Sequence, residues 1–112
     1  MGKTGVLGSF EEMVLLAILQ NASDAYAVTI RRELEDRSGS EVAMGAVYAT
    51  LDRLEEKGFV GSDVERRTGV LGRPRRYYCV LPAGVTALAA TRAIRDKMWR
   101  GLTVNPATGA DS

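Results

Sequence analysis

The longest apolar run in the chain, MVLLAIL at 13–19, leaves no polar position to turn toward water. A helix that is apolar on nearly every side lies buried or is covered by a partner. Ser9 and Glu12 stand just ahead of it in a capping-box pattern, so a first helix is predicted over Ser9 to Gln20. Asn21 to Asp24 reads as a turn. Tyr26, Ile30 and Leu34 then recur every fourth residue, on one face of a second helix. Arg31, Arg32, Glu33, Glu35 and Asp36 fill its wet face, and Gly39 stops it. A third helix is predicted over Met44 to Lys57, with Val47, Leu51 and Leu54 as its buried stripe and Gly58 as its end. Gly45, Ala49, Asp52 and Glu56 fall opposite that stripe, with Tyr48 and Arg53 flanking them. The first exposed turns of this helix are nearly bare, so its backbone can approach another surface closely.

After Gly58 the pattern changes. Phe59 to Arg67 and Arg75 to Leu81 read as strands, joined by the hairpin loop TGVLGRP. Alternation puts Arg76, Tyr78 and Val80 on one side of the second strand and Arg75, Tyr77 and Cys79 on the other, with Tyr78 and Val80 expected inward. Pro82 opens a last helix, to about Leu102. Its early apolar residues, Val85, Leu88 and Ala89, share one face, and Ile94, Met98 and Leu102 lie on roughly the opposite face later. Such a helix can touch its own domain first and a second molecule afterwards, so a homodimer is expected. The organisation that follows is a flexible N-terminal arm over 1–8, one domain over 9–81, a C-terminal dimerisation helix over 82–102 and a disordered tail over 103–112.

Composition narrows the chemistry. The chain has 112 residues, of which 46% are apolar, enough for one core. It has no histidine and one cysteine, Cys79. That removes nucleophilic triads, His-containing zinc sites and any internal disulfide, and fits a reducing cytoplasm. No run is long enough to cross a bilayer, and the N-terminus does not read as a signal peptide. The glycines of GVLG lead into a strand rather than a helix, so they do not form a phosphate-binding loop. No catalytic residue, metal ligand or cofactor is expected, and the chain is not read as an enzyme. The net charge of +1 hides an asymmetry. Six Lys/Arg face ten Asp/Glu up to Gly58, whereas five arginines face two acidic residues from Phe59 to Leu81. A basic segment on a nearly neutral chain points to a local contact with something anionic.

Three helices followed by a hairpin give a mainly α (α+β) fold, the winged helix-turn-helix. Its third helix is the one offered to a DNA major groove, and its hairpin is the wing beside it. Met44, Gly45, Ala46, Tyr48, Ala49 and Arg53 are then the candidate DNA-binding residues of the helix, and Arg73, Arg75 and Arg76 those of the wing. Arg76 has a second reading, pairing with an acidic residue across the hairpin, and Arg53 a second reading, pairing with Glu56 or Asp52. Ile94, Met98, Trp99 and Leu102 are candidates for the dimer contact, and two Trp99 indoles meeting across it would suit a flat aromatic effector. The other function class is a winged-helix module for protein–protein contact, with the basic hairpin meeting an acidic partner.

The chain also resembles the PadR family of transcriptional regulators, in its short form with a single C-terminal helix. The stretches that carry this are LGSFEEMVLLAIL, AYAVTIRRELE, MGAVYATLDRLEEKGFV, GRPRRYY, PAG and a helix ending in MWRGL, which together span about residues 7 to 102. The resemblance implies a homodimeric DNA-binding repressor, often responsive to small aromatic or lipophilic compounds, with a pseudo-palindromic operator and much of the dimer contact on the C-terminal helix. Three positions depart from the family's usual pattern. Ala43 stands where Ser precedes the recognition helix, Ala27 where Gly follows the Ala-Tyr pair, and Leu81 where Thr caps the last helix.

Overall fold

The computed structural model describes residues 6–65, 74–106 and 109–111. Four helices form, α1 (Ser9–Asn21), α2 (Ala27–Ser38), α3 (Met44–Glu56) and α4 (Pro82–Trp99), with a single 3₁₀ turn, Ala22–Asp24, between the first two. Strands β1 (Val60–Glu65) and β2 (Arg75–Val80) follow α3, and β3 (Thr103–Asn105) and β4 (Gly109–Asp111) follow α4. Three helices and an antiparallel pair in this order make the winged helix-turn-helix.

The core is where α1, α2, α3 and the hairpin meet. Leu15, Ile30, Val47, Leu51 and Leu54 are fully buried, joined by Val60 from β1 and Tyr78 from β2. Burying a side chain of this size stabilises the fold by about 1.5–3 kcal/mol. Only one side of α1 takes part: Val14, Leu15, Ala17 and Ile18 face inward, while Met13, Leu16 and Leu19 are exposed.

The start of α1 differs from the expected capping box. Gly8 is the N-cap, and its N–H donates to Glu11 Oε1 at 3.4 Å, one residue earlier than the Ser9–Glu12 pair. The shift follows from Leu7, which is buried and donates its N–H to the Thr91 hydroxyl of α4 at 3.0 Å. The chain must turn immediately after Leu7. The expected arm over 1–8 is therefore anchored at its inner end; residues 1–5 lie outside the described residues. Glu12 is left to pair with Arg95 of α4 at 2.8 Å.

Tyr26 caps α2, its N–H donating to the Thr29 hydroxyl at 3.0 Å. At the other end Gly39 takes a left-handed φ of 73°, which costs glycine no steric penalty. The turn into α3 is latched twice: Val42 N–H donates to Glu35 Oε2 at 2.9 Å, and Arg31 Nε donates to the Val42 carbonyl at 2.8 Å. Arg31 is thus a tie across the helix-turn-helix corner rather than part of a merely solvated face.

The hairpin pairs Val60 with Val80 and Ser62 with Tyr78, out to Glu65 with Arg75. Tyr78 is buried and Val80 packs against the core, as alternation predicts. On its outer edge β2 gains a second neighbour, because Tyr78 N–H donates to the Ala25 carbonyl at 2.8 Å. Of the expected loop TGVLGRP, only Pro74 is among the described residues; Arg73 lies outside them, as do Arg66 and Arg67.

The inner face of α4 is not the expected one. Val85 and Ala89 are exposed, while Gly84 and Thr91 are buried and Ala87 and Leu88 half-buried. At 100° per residue the stripe through Gly84, Ala87 and Thr91 runs on through Ile94 and Met98. The helix therefore carries one inward stripe rather than two successive faces, and the stripe outlasts the body it packs on: every residue of α4 from Arg92 onward is exposed. The helix ends at Trp99 rather than near Leu102, and Gly101 turns the chain with a φ of 81°. Over the expected disordered tail, Thr103–Asn105 pairs antiparallel with Gly109–Asp111.

The junction between wing and α4 is tight. A Cβ on Gly84 would sit 2.4 Å from the Phe59 carbonyl oxygen and 2.8 Å from Val80 Cγ1. Gly84→Ala should lower stability by about 1–3 kcal/mol, the usual cost of overpacking, read from the urea midpoint. A second prediction concerns Glu11, which accepts from Lys57 Nζ at 2.9 Å and lies 3.8 Å from Arg53 Nε. Burial pushes its pKa up, but Lys57, the Gly8 N–H and Arg53 outweigh that and hold it below the ordinary 4.5. A lowered folded pKa stabilises the fold above the unfolded pKa and loses that effect as pH falls through the folded one. The basic partners are about half exposed, at 47% and 53%, so screening keeps the effect small. Glu11→Gln should cost up to about 1 kcal/mol at neutral pH. In denaturation curves the difference should vanish in acid, once the wild-type carboxylate is itself protonated.

Candidate nucleic-acid interface

The outer face of α3 and the base of the wing border one open cleft of about 560 Å³. Tyr48 and Asp52 contribute from α3, Tyr26, Ala27 and Val28 from the start of α2, and Pro74, Arg75, Arg76 and Tyr78 from the wing. Among the described residues nothing bulky covers the first turns of α3, because Gly45, Ala46 and Ala49 are exposed and small. Ala43, the N-cap, offers no side-chain acceptor to the first amides. Met44 is different: it is half-buried and packs against the core.

Tyr48 is 51% exposed on the wing side of α3. Below it Tyr78 is buried, and burial raises its hydroxyl pKa above the ordinary 10.0 despite the nearby Arg76. Tyr78 is therefore a neutral floor to the cleft at physiological pH. Arg76 donates from Nη1 to the Ser62 hydroxyl at 2.8 Å, and that hydroxyl donates to Glu55 Oε2 at 2.8 Å. Arg76 reaches across the hairpin to a serine rather than to an acidic residue of the facing strand; the acidic group beyond it, Glu55, belongs to α3. This relay holds Arg76 at the cleft while leaving it exposed.

Arg75 leaves β2 on the other face. Its Cζ lies 4.4 Å from the centroid of the Tyr26 ring, and that ring meets Tyr77 edge-on at 5.5 Å. Arg53 points away from the wing, toward α1: besides its approach to Glu11 it donates from Nη2 to the Thr50 hydroxyl at 3.2 Å. The geometry thus gathers Tyr48, Arg75 and Arg76 about one cleft and leaves Arg53 on the far side of α3. It also brings in Tyr26 and Asp52, neither of which the pattern singled out for the site. The helical wheel had Asp52 on the bare face, which was a usable signal. Tyr26 looked like part of a helix stripe, and nothing in the spacing tells that it caps α2 and faces β2.

Ile94, Met98, Trp99 and Leu102 lie together at the far end of α4 and beyond it, away from this cleft, with Met98 72% and Trp99 58% exposed. Cys79 is exposed on β2. Among the described residues no cluster of His, Cys, Asp or Glu is arranged to hold a metal ion, and no helix is long and apolar enough to cross a membrane.

Comparison with known proteins agrees with this architecture. The family model described as the transcriptional regulator PadR-like family matches residues 15–90. The transcriptional regulator Rv3488 of Mycobacterium tuberculosis is 39% identical over 89 residues, which is 78% of this chain and 79% of that protein. Among solved structures, RosR of H. salinarum aligns with a TM-score of 0.67 at 26% identity, covering 87% of this chain and 81% of that one. A PadR-like transcription factor from Bacteroides fragilis aligns with a TM-score of 0.68 at 25% identity, covering 80% and 82%. The family is one of regulators and not of enzymes. With the match running from inside α1 to deep into α4, the chain belongs to the PadR-like family of transcriptional regulators.

Proposed function

We propose that this regulator is a cytoplasmic homodimeric repressor that binds a pseudo-palindromic operator in double-stranded DNA. The observation that carries the reading is the shared cleft: the outer face of α3 and Arg76 at the wing base border the same opening. Gly45, Ala46 and Ala49 let the α3 backbone sink close to base edges, with Met44 setting the helix end against the core. Tyr48 offers a hydroxyl to a phosphate or base edge, and Arg76 a guanidinium to the backbone. Arg73, on the part of the wing outside the described residues, would add a further cation. Few of these side chains can read bases directly, so sequence preference rests largely on DNA shape. Arg53, turned to Glu11, has the weakest claim among the candidates.

Exposed apolar surface supports pairing of two copies. Met13, Leu16 and Leu19 on α1 and Ile94, Met98, Trp99 and Leu102 at the end of α4 stand open in one protomer. Apolar surface concentrated in this way marks an interaction site. Two subunits related by a two-fold axis then present their α3 helices to successive major grooves, about 34 Å apart. A flat aromatic effector held at Trp99 would change the relative placement of the two heads and weaken the fit to both half-sites.

Binding to a duplex selected from a randomised library tests the DNA reading. With about 3 to 4 phosphates neutralised per protomer, log affinity should fall against log salt with a slope of about −5 to −7. Arg76→Gln should make that slope shallower by about 2 for a dimer. Retention of all duplexes alike, or of none, favours a protein–protein module instead. For the dimer, Met98→Glu combined with Trp99→Glu should give a monomer in sedimentation at concentrations where the wild type is paired. Trp99 is the only tryptophan, so its emission reports the same transition in the parent protein.

A further inference from the structure

Arg75 and Arg76 are neighbours on β2, yet alternation sends them to opposite faces of the hairpin, and their partners differ in kind. Arg76 bonds a serine at the rim of the cleft. Arg75 is held by aromatic rings. Its guanidinium lies over Tyr26, and Tyr26 meets Tyr77 at an interplanar angle of 73°. The Tyr77 side chain also bonds Arg75 and shifts its guanidinium pKa further upward. These three groups span a single seam. Tyr26 caps α2, Tyr77 belongs to β2, and between them runs the bond from Tyr78 N–H to the Ala25 carbonyl.

We infer that Arg75 is a positioning residue of the DNA-binding surface: it sets the angle of the wing against α2 by stacking on Tyr26 and bonding Tyr77, and it does not neutralise a phosphate. This rests on the DNA-binding reading above. Among the described residues the hairpin meets the start of α2 along one edge, through that backbone bond and these side chains. A small rotation at the seam displaces whatever the wing carries further out. With its face committed to Tyr26 and a donor to Tyr77, Arg75 would have to slide off the ring to follow a phosphate outward.

The chemistry of the guanidinium makes the two roles separable. A planar guanidinium stacks on an aromatic face, whereas a lysine ammonium is a compact point charge. Lysine serves well as a phosphate contact. Arg75→Lys therefore keeps a phosphate contact and loses the clamp, while Tyr26→Leu removes the clamp and leaves Arg75 free for a phosphate. The probe is the tightest duplex that the wild-type protein selects from a randomised library. Arg75→Gln, Arg75→Lys and Tyr26→Leu should each weaken binding to it roughly tenfold. The double variant Arg75→Gln/Tyr26→Leu should bind no worse than either single one, because both remove the same interaction. In the DNA-free variants the Tyr78 amide should exchange faster, while the Leu51 and Leu54 amides keep their protection and show that the core is intact. Wild-type binding by Arg75→Lys or by Tyr26→Leu overturns the inference and makes Arg75 a phosphate contact. A Tyr78 amide as protected as in the wild type overturns it as well. If the wild-type protein selects no duplex, the DNA-binding reading itself falls and this inference with it.

Discussion

A two-stranded hairpin has little stability of its own in water. The wing of this protein is such a hairpin, and its outer edge is tied to the helical body by a backbone hydrogen bond from Tyr78 N–H to the carbonyl of Ala25. That bond turns the free edge of β2 into a shared edge with the chain entering α2. Around it the burial of Tyr78 and Val60 ties the same strands into the helical core. Without this seam α3 would still form, since Val47, Leu51 and Leu54 pack on α1 and α2. The wing would still be held to α3 through Ser62 and Glu55, but its outer edge would lose its tie to α2, and that wall of the cleft would be free to shift.

Much of the fold was legible because the chain repeats its message at several levels. The stripe Val47, Leu51, Leu54 and the stop at Gly58 define α3 by periodicity and by capping together. The alternation around Tyr78 and Val80 gave the orientation of β2. What failed to show was whatever depends on two segments distant in sequence. The cap of α1 moved to Gly8 because Leu7 is bound by Thr91, a residue 84 positions away. The inner face of α4 was misread because Gly84 and Thr91 are not apolar by type: the one is buried for its smallness, the other for its hydroxyl. The candidate site divides along the same line. Gly45, Ala46, Tyr48 and Ala49 lie on one helix, so a wheel could group them. The association of Tyr26 with Arg75 joins an α2 cap to a strand and leaves no trace in spacing.

The charges behave as a local system rather than as a field. Net charge is +1, and several basic groups are already engaged: Arg53 and Lys57 with Glu11, Arg95 with Glu12, Arg31 with Glu35 and the Val42 carbonyl. Exposed pairs of this kind add little stability each. Their larger effect is to take cations of α2, α3 and α4 out of play. The basic character of the β2 segment is then not diluted by a generally positive surface, and Asp52 at the cleft adds a group that disfavours close approach of a phosphate at that point.

The close approach of Gly84 to the Phe59 carbonyl gives α4 a fulcrum. The helix is clamped near its first turn, lightly tied by Thr91 and Arg95, and unsupported beyond. At about 1.5 Å per residue its 18 residues make a rod of roughly 27 Å. A tilt of about 10° about Gly84 swings the far end by about 4 Å on that rise. Rotations too small to disturb the core at one end thus become displacements as wide as a base-pair step at the other.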